Sequence, residues 1–202
     1  MKKIVIVGVG ALGSHVALLL RNLDMQNVPG KPGELFRLVA VDFDRVEQKN
    51  TLAQFHGKAS VGKNKALGLQ QTVNFLFGVK IDAVPHKLVA ENVQVLLRDA
   101  TLVIDCLDNG PSRRIVQNFV RECQVPCVHG ALAANGTIGR VVWDDKFVID
   151  ENDGEGATCE DGEHLPFIGL VSAHLARAAQ EFLKSRQQMS FQVFSRSPSI
   201  SL

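Results

Sequence analysis

Two hydrophobic rhythms alternate along this chain. Short, nearly continuous apolar runs at 2–7, 37–41, 79–84, 101–105 and 125–130 predict strands buried on both faces. Between them, apolar residues recur every three or four positions, which predicts helices. The stretch 11–24 carries Ala11, Leu12, Val16, Leu19, Leu20 and Leu23 at that spacing, and helices follow at 63–76 and, shorter, at 91–97. Pro111 suits the first turn of a helix running to residue 123. A last helix, 167–184, packs by Ile168, Leu170, Val171, Leu175, Ala178, Ala179, Phe182 and Leu183. Residues 139–143 and 146–149 read as an antiparallel hairpin turning at Asp144-Asp145. Proline and glycine mark 25–35 as a loop, residues 43–60 are polar and irregular, and 150–162 is an acidic, glycine-rich flexible loop. The alternation predicts an α/β fold: a Rossmann-like, doubly wound, mostly parallel sheet with a C-terminal antiparallel hairpin and helix. Residues 1–194 form one domain, and the Ser-rich tail 195–202 is expected to be disordered.

The first strand runs straight into Gly8-Val-Gly10-Ala-Leu-Gly13 and then into a helix. Glycines at this spacing allow a tight turn, a close approach to phosphate and close packing of helix on strand. The helix aims its free N–H groups at an anion. Gly8, Gly10, Ala11, Leu12 and Gly13 are therefore candidate nucleotide-binding residues. In such a sheet the ligand lies beyond the carboxyl ends of the strands. Asp42, after the second strand, and Asp105-Cys-Leu-Asp108-Asn109, after the fourth, land there. Asp42 suits the ribose hydroxyls; equally, an Asp at this position ends a strand or caps a turn. On these features alone an NAD-dependent oxidoreductase fits as well as any other nucleotide enzyme.

Composition narrows the classes. The 202 residues are 46% hydrophobic and 21% charged, as in an ordinary globular domain. A net charge of +1 gives no electrostatic reason to expect nucleic acid or an anionic membrane as partner. No apolar run reaches the length of a membrane span, nothing at the N-terminus reads as a cleavable leader, and the cytoplasm is the expected compartment. Four cysteines (Cys106, Cys123, Cys127 and Cys159) are too few and too unevenly spaced for a disulfide framework.

The segment Asp42-Phe-Asp44-Arg-Val-Glu-Gln-Lys-Asn50-Thr-Leu-Ala53-Gln54, followed by Gly62-Lys-Asn-Lys65-Ala66, separates the hypotheses. It resembles the ThiF/MoeB/HesA family, bacterial relatives of ubiquitin-activating enzymes, whose pattern is an aspartate pair, N-x-x-R-Q and then G-x-x-K-A. Asp105-Cys-Leu-Asp108-Asn109-Gly-Pro-Ser-Arg113 is similar to that family's D-x-x-D-N-x-x-x-R. A third match is Thr158-Cys159, ahead of a Gly/Pro-rich turn and a long apolar helix. The resemblance implies ATP- and Mg²⁺-dependent adenylation of the C-terminal carboxylate of a small ubiquitin-like or sulfur-carrier protein. It further implies that Lys65 faces the phosphates, Asn50 and Gln54 donate to phosphate oxygens, Asp108 holds Mg²⁺, and Asp44 and Asn109 face the ATP. Arg113 is left either to touch the phosphates or to anchor its helix.

The departures are as informative as the matches. The motif arginine is Ala53, and the loss of one such donor costs on the order of 10²–10³ in rate. Many relatives carry an arginine on an N-terminal helix, which the chain as it stands lacks. No C-x-x-C pair is present, so no zinc site is expected. Cys159 is a candidate acyl or sulfur acceptor, although neighbouring Glu155, Glu160, Asp161 and Glu163 disfavour its thiolate. Cys106, Cys123 and Cys127 read as inert core residues, and the six histidines show no metal-ligand spacing. Lys65, Asp108 and Cys159 are the catalytic candidates of an adenylyltransferase working as a homo- or heterodimer. The alternative is a non-catalytic ATP-binding half of a heterodimer.

Overall fold

The computed structural model describes residues 1–23, 35–133, 135–149 and 162–195. Seven strands form one sheet in the order β3-β2-β1-β4-β5-β6-β7. Strands β1 (Lys2–Val7), β2 (Phe36–Val41), β3 (Asp82–Val84), β4 (Ala100–Asp105) and β5 (Cys127–Leu132) run parallel, and β6 (Ile138–Trp143) and β7 (Phe191–Phe194) close one edge antiparallel.

Successive β1 residues face opposite sides, and both sides are covered. Ile4 and Ile6 join the core under α1 (Ala11–Leu20), α2 (Lys65–Phe77) and α5 (Leu165–Ser185). Val5 and Val7 join a second core under α3 (Val93–Leu97) and α4 (Gly110–Glu122). Burial on both faces is why the strand is continuously apolar rather than alternating. The register sets Val7 opposite both Val41 and Asp105, so the three central strands end together and their following loops share one edge.

Several expectations shift at their boundaries. The second helix begins at Lys65, not residue 63, because the Asn64 side chain accepts the Leu67 N–H and caps it. It ends at Gly78, whose φ of 66° is left-handed. The edge strand β3 then pairs for only three residues, not the six expected over 79–84. The first helix stops at Leu20 rather than residue 24.

The expected hairpin is wrong. Residues 144–146 form a 3-10 turn, and β6 pairs antiparallel with β5 before it and with β7, which follows the last helix. The Asp144 carboxylate is drawn to His129 and Arg121, and the Phe147 ring stacks on His129 at 4.0 Å, so this stretch folds onto β5 and α4 instead of returning along β6. Four residues of alternating pattern, Phe-Gln-Val-Phe, were too short a signal for β7. The expected loop over 25–34, the acidic loop up to residue 161 with Cys159, and the tail from 196 lie outside the described residues. Among the described residues, no helix is long and apolar enough to cross a membrane.

Trp143, the one tryptophan of the chain, joins β6 to α5: its ring lies 4.8 Å from that of Phe182, and its Nε1 donates to the Met189 carbonyl at 3.0 Å. Replacing the buried Phe182 by Ala is expected to cost about 3–5 kcal/mol. Urea unfolding followed by Trp143 fluorescence measures it, and a loss below about 1 kcal/mol would contradict this packing.

Candidate functional site

The glycine turn is built by close contact. Gly8 has a φ of +83°, and a Cβ there would lie 2.9 Å from the Cys106 carbonyl oxygen. A Cβ on Gly13 would lie 1.9 Å from the Gly8 carbonyl oxygen, so no side chain is accommodated. Gly10 caps α1 without a side-chain hydrogen bond. The first-turn N–H groups of Ala11, Leu12 and Gly13 therefore have no acceptor within the helix and face outward with its positive dipole end.

Asp42 organises the opposite lip. Its Oδ2 accepts the Val9 N–H and its Oδ1 the Asp44 N–H, both at 2.8 Å. It thus caps the turn, yet a carboxylate offers about four acceptor sites, and ribose binding is compatible with this role. Burial raises its pKa, opposed by those two N–H groups and by Lys65. Lys65 Nζ is 3.3 Å from Asp44 Oδ2, so the first turn of α2 brings its ammonium to the same edge. Lys63 instead turns away to Gln71 at 2.8 Å, and Arg45 donates to the Gly62 carbonyl.

The segment after Asp44 lies against the glycine turn. Gln54 Nε2 is 3.9 Å from where a Gly10 Cβ would stand, while its Oε1 is buried without a partner. Asn50 is 3% exposed, and its Oδ1 accepts the Glu47 N–H at 2.8 Å, capping a short 3-10 turn. Ala53 is buried in the core.

At the end of β4, Arg113 anchors its helix through three hydrogen bonds. It donates to Asp105 Oδ2 at 3.0 Å, to the Gly130 carbonyl at 2.7 Å and to the Leu107 carbonyl. Asp105 is wholly buried and also accepts from Leu107 N–H and from His129 Nδ1 at 2.7 Å. These bonds shape the turn that presents Asp108, which is exposed and, among the described residues, accepts only a 3.3 Å bond from Asn109 Nδ2. Asn109 Oδ1 caps α4 through Ser112 N–H. The sequence reading missed His129. Its signal was a histidine inside an apolar strand, and its Asp105 partner became visible only with the β4–β5 register.

His129 is bracketed by two carboxylates, with Nε2 3.0 Å from Asp144 Oδ1. Burial opposes a charge on this ring, but the hydrogen bonds to the Asp105 and Asp144 carboxylates outweigh it and raise its pKa. For Asp105, burial is outweighed by Arg113, His129 and the Leu107 N–H, which hold the carboxyl below its usual range. Cys127 is not in purely apolar surroundings, since its sulfur lies 3.5 Å from His129 Nε2; burial nevertheless raises its pKa and keeps it a thiol. Cys106 is likewise raised by burial. Cys123 is exposed, against expectation, because it falls one residue past the end of α4.

Two tests address this network. Arg113→Met strands the buried Asp105 charge and is expected to cost about 3–5 kcal/mol by urea unfolding. His129 gains pKa on folding, so its contribution is complete below its unfolded value of 6.5 and is lost as pH rises through its raised folded value. Between about pH 7 and pH 9 stability should fall with pH in the parent and stay flatter in His129→Gln. Equal slopes would exclude the imidazolium.

With this geometry in view, the chain was compared with known proteins. Its sequence matches the ThiF family over residues 1–189. It is 34% identical over 131 residues to a sulfur carrier protein adenylyltransferase of Thermus thermophilus, covering 64% of this chain and 45% of that protein. It is 27% identical over 190 residues to the molybdopterin-synthase adenylyltransferase of Escherichia coli, covering 90% of this chain and 72% of that one. The crystal structure of Escherichia coli MccB with ATP superposes with a TM-score of 0.73 over 96% of this chain and 60% of that one. At 14% identity that likeness speaks for the fold alone. The chain spans about half the length of the first two relatives it matches, at 45% of each. The family match covers nearly the whole described chain, and the protein belongs to the ThiF family.

Proposed function

We propose that this protein activates the C-terminal carboxylate of a small ubiquitin-like or sulfur-carrier protein by ATP-dependent adenylation. One observation carries the reading: in a chain whose relatives are named adenylyltransferases, the glycine turn, the Asp42–Asp44–Lys65 cluster and the Asp108 turn share one edge of the sheet.

In this reading the N–H groups at the start of α1 and the Lys65 ammonium hold the phosphates, and Gln54 Nε2 donates from above the turn. Asn50 contributes through its amide N–H, its oxygen being engaged by Glu47. The remaining acceptor sites of Asp42 take the ribose hydroxyls. A carboxylate oxygen of the carrier attacks the α-phosphorus, the bond to the β-phosphate oxygen breaks, and acyl-adenylate and pyrophosphate result. Asp108 fits a Mg²⁺ ligand: it is exposed at the mouth of the site and lightly bonded. Mg²⁺ commonly takes one or two carboxylates, with phosphate oxygens and water completing its shell. Among the described residues no group of three or more His, Cys, Asp or Glu forms a self-sufficient metal cage, and this ion does not require one. When bound, it supplies charge neutralisation on the phosphates.

The buried Ala53 leaves the site short of one cation, which a second subunit of a homo- or heterodimer would supply. The non-catalytic ATP-binding alternative draws support from Ala53, but the relatives of this chain are named adenylyltransferases, which favours the catalytic reading.

ATP–pyrophosphate exchange with Mg²⁺ and small ubiquitin-like proteins tests the reading. Asp108→Ala and Lys65→Ala should each lower exchange by on the order of 10²-fold. Cys159→Ala should retain it, because adenylation precedes any transfer to a thiol. ATP binding without exchange would favour the non-catalytic module, and binding of NAD in place of ATP would overturn both.

A further inference from the structure

Three hydrogen bonds fasten residues 53–56 to the glycine turn and the first turn of α1. His15 Nε2 lies 3.2 Å from the Ala53 carbonyl, Phe55 N–H donates to Ser14 Oγ at 2.9 Å, and His56 Nε2 lies 2.9 Å from the Val9 carbonyl. The proposed reaction uses neither histidine, and no sequence motif flagged either.

His56 is the more unusual of the two. It is 3% exposed. A carbonyl only accepts, so the ring carries its proton on Nε2, and Nδ1 is left as a buried acceptor with no partner among the described residues. Burial keeps the ring neutral, with Lys65 and His15 adding to the effect against the Val9 carbonyl, and its pKa is pushed down to about 4. An imidazole with one nitrogen stranded is a poor core residue, because an apolar side chain would fill the space without an orphan acceptor. Stability does not explain it; the bond to Val9 does.

The Val9 carbonyl belongs to the Val9–Gly10 peptide. In a trans peptide the C=O and N–H point in opposite directions. A donor gripping the Val9 oxygen therefore dictates where the Gly10 N–H points. The preceding peptide is gripped as well, since the Val9 N–H is held by Asp42. Asp42 and His56 thus set two successive peptide planes of the glycine turn, from two different segments.

We propose that His56 is a positioning residue for the phosphates of the bound nucleotide: its Nε2–H holds the Val9 carbonyl and so aims the Gly10 N–H that joins the first turn of α1 in binding phosphate. The inference rests on the ATP-binding reading above. It requires a donor at the reach of Nε2. Glutamine places an N–H at that reach, asparagine places it about where Nδ1 stands, and leucine supplies none.

The test is calorimetric and uses the whole chain with ATP and Mg²⁺, and with adenosine, which carries no phosphate. His56→Leu and His56→Asn should weaken ATP binding about tenfold or more, His56→Gln should restore it to within about threefold, and adenosine binding should be unchanged in all three. Thermal melts taken alongside should show Gln and Asn variants of similar stability, so that their difference in ATP affinity is not a folding effect. Equal ATP affinity across the folded variants, or parallel losses for ATP and adenosine, would overturn the proposal while leaving ATP binding intact. A parent protein that binds no ATP would overturn this proposal and the reading beneath it together.

Discussion

The carboxyl edge of the sheet depends on one buried charge. Asp105 closes β4 and accepts hydrogen bonds from a backbone N–H of its own turn, from the Arg113 guanidinium of α4 and from the His129 ring of β5. Through His129 it is coupled to Asp144 and through Asp144 to Arg121, so β4, α4, β5 and the turn after β6 share one polar network. A carboxylate removed from water to this degree is tolerated only when its lone pairs are met. Meeting them leaves the turn after β4 few conformations to adopt. The exposed Asp108 takes its direction from that constraint, although it touches none of the buried partners.

The same logic governs the glycine turn with backbone in place of charge. Gly8 and Gly13 approach the Cys106 carbonyl and each other too closely for any Cβ, so the turn is held against the end of β4. Two neighbouring peptides are then gripped by side chains from outside, Asp42 at the Val9 N–H and His56 at its carbonyl. Two turns, one built on a buried carboxylate and one on close-packed backbone, are thereby held at a common edge.

What could be read from the sequence followed physical locality. The buried central strands and the glycine turn are encoded by neighbours a few residues apart, and they appear close to where expected, whereas the Asn64 cap moves the start of α2 from the expected residue 63 to Lys65. Lys65 and Asp44 stand in one family pattern, and the structure brings the Lys65 ammonium to 3.3 Å from the Asp44 carboxylate. The roles of His129, His56 and Arg113 could not be derived in this way. Each depends on a partner brought close only by strand register or by a loop folding back, and an isolated His or Arg in the sequence has many satisfactory fates. The hairpin failed for a related reason. Asp144-Asp145 has the composition of a turn, but Asp144 was committed to His129 and Arg121, and tertiary bonding overrode the local preference.

Ala53 shows how the site manages its charge. Its side chain packs in the core, and its carbonyl is the acceptor for His15, so the backbone here points its polar group at α1 and its methyl inward. An arginine in this orientation would bury a guanidinium among apolar groups, a cost its rotamers could not escape without moving the segment. The cationic character that remains comes from Lys65 and from the start of α1, both on the β1–β2 side of the edge. His15 and His56 do not add to it, because burial lowers the pKa of each. The positive charge on one side of the edge thus comes from Lys65 and the start of α1, while Asn50 and Gln54 offer neutral hydrogen-bonding groups on the other. In the proposed adenylation, a site so divided would hold nucleotide by shape and backbone donors, and would draw on charge from a second subunit for the step in which negative charge builds on phosphorus.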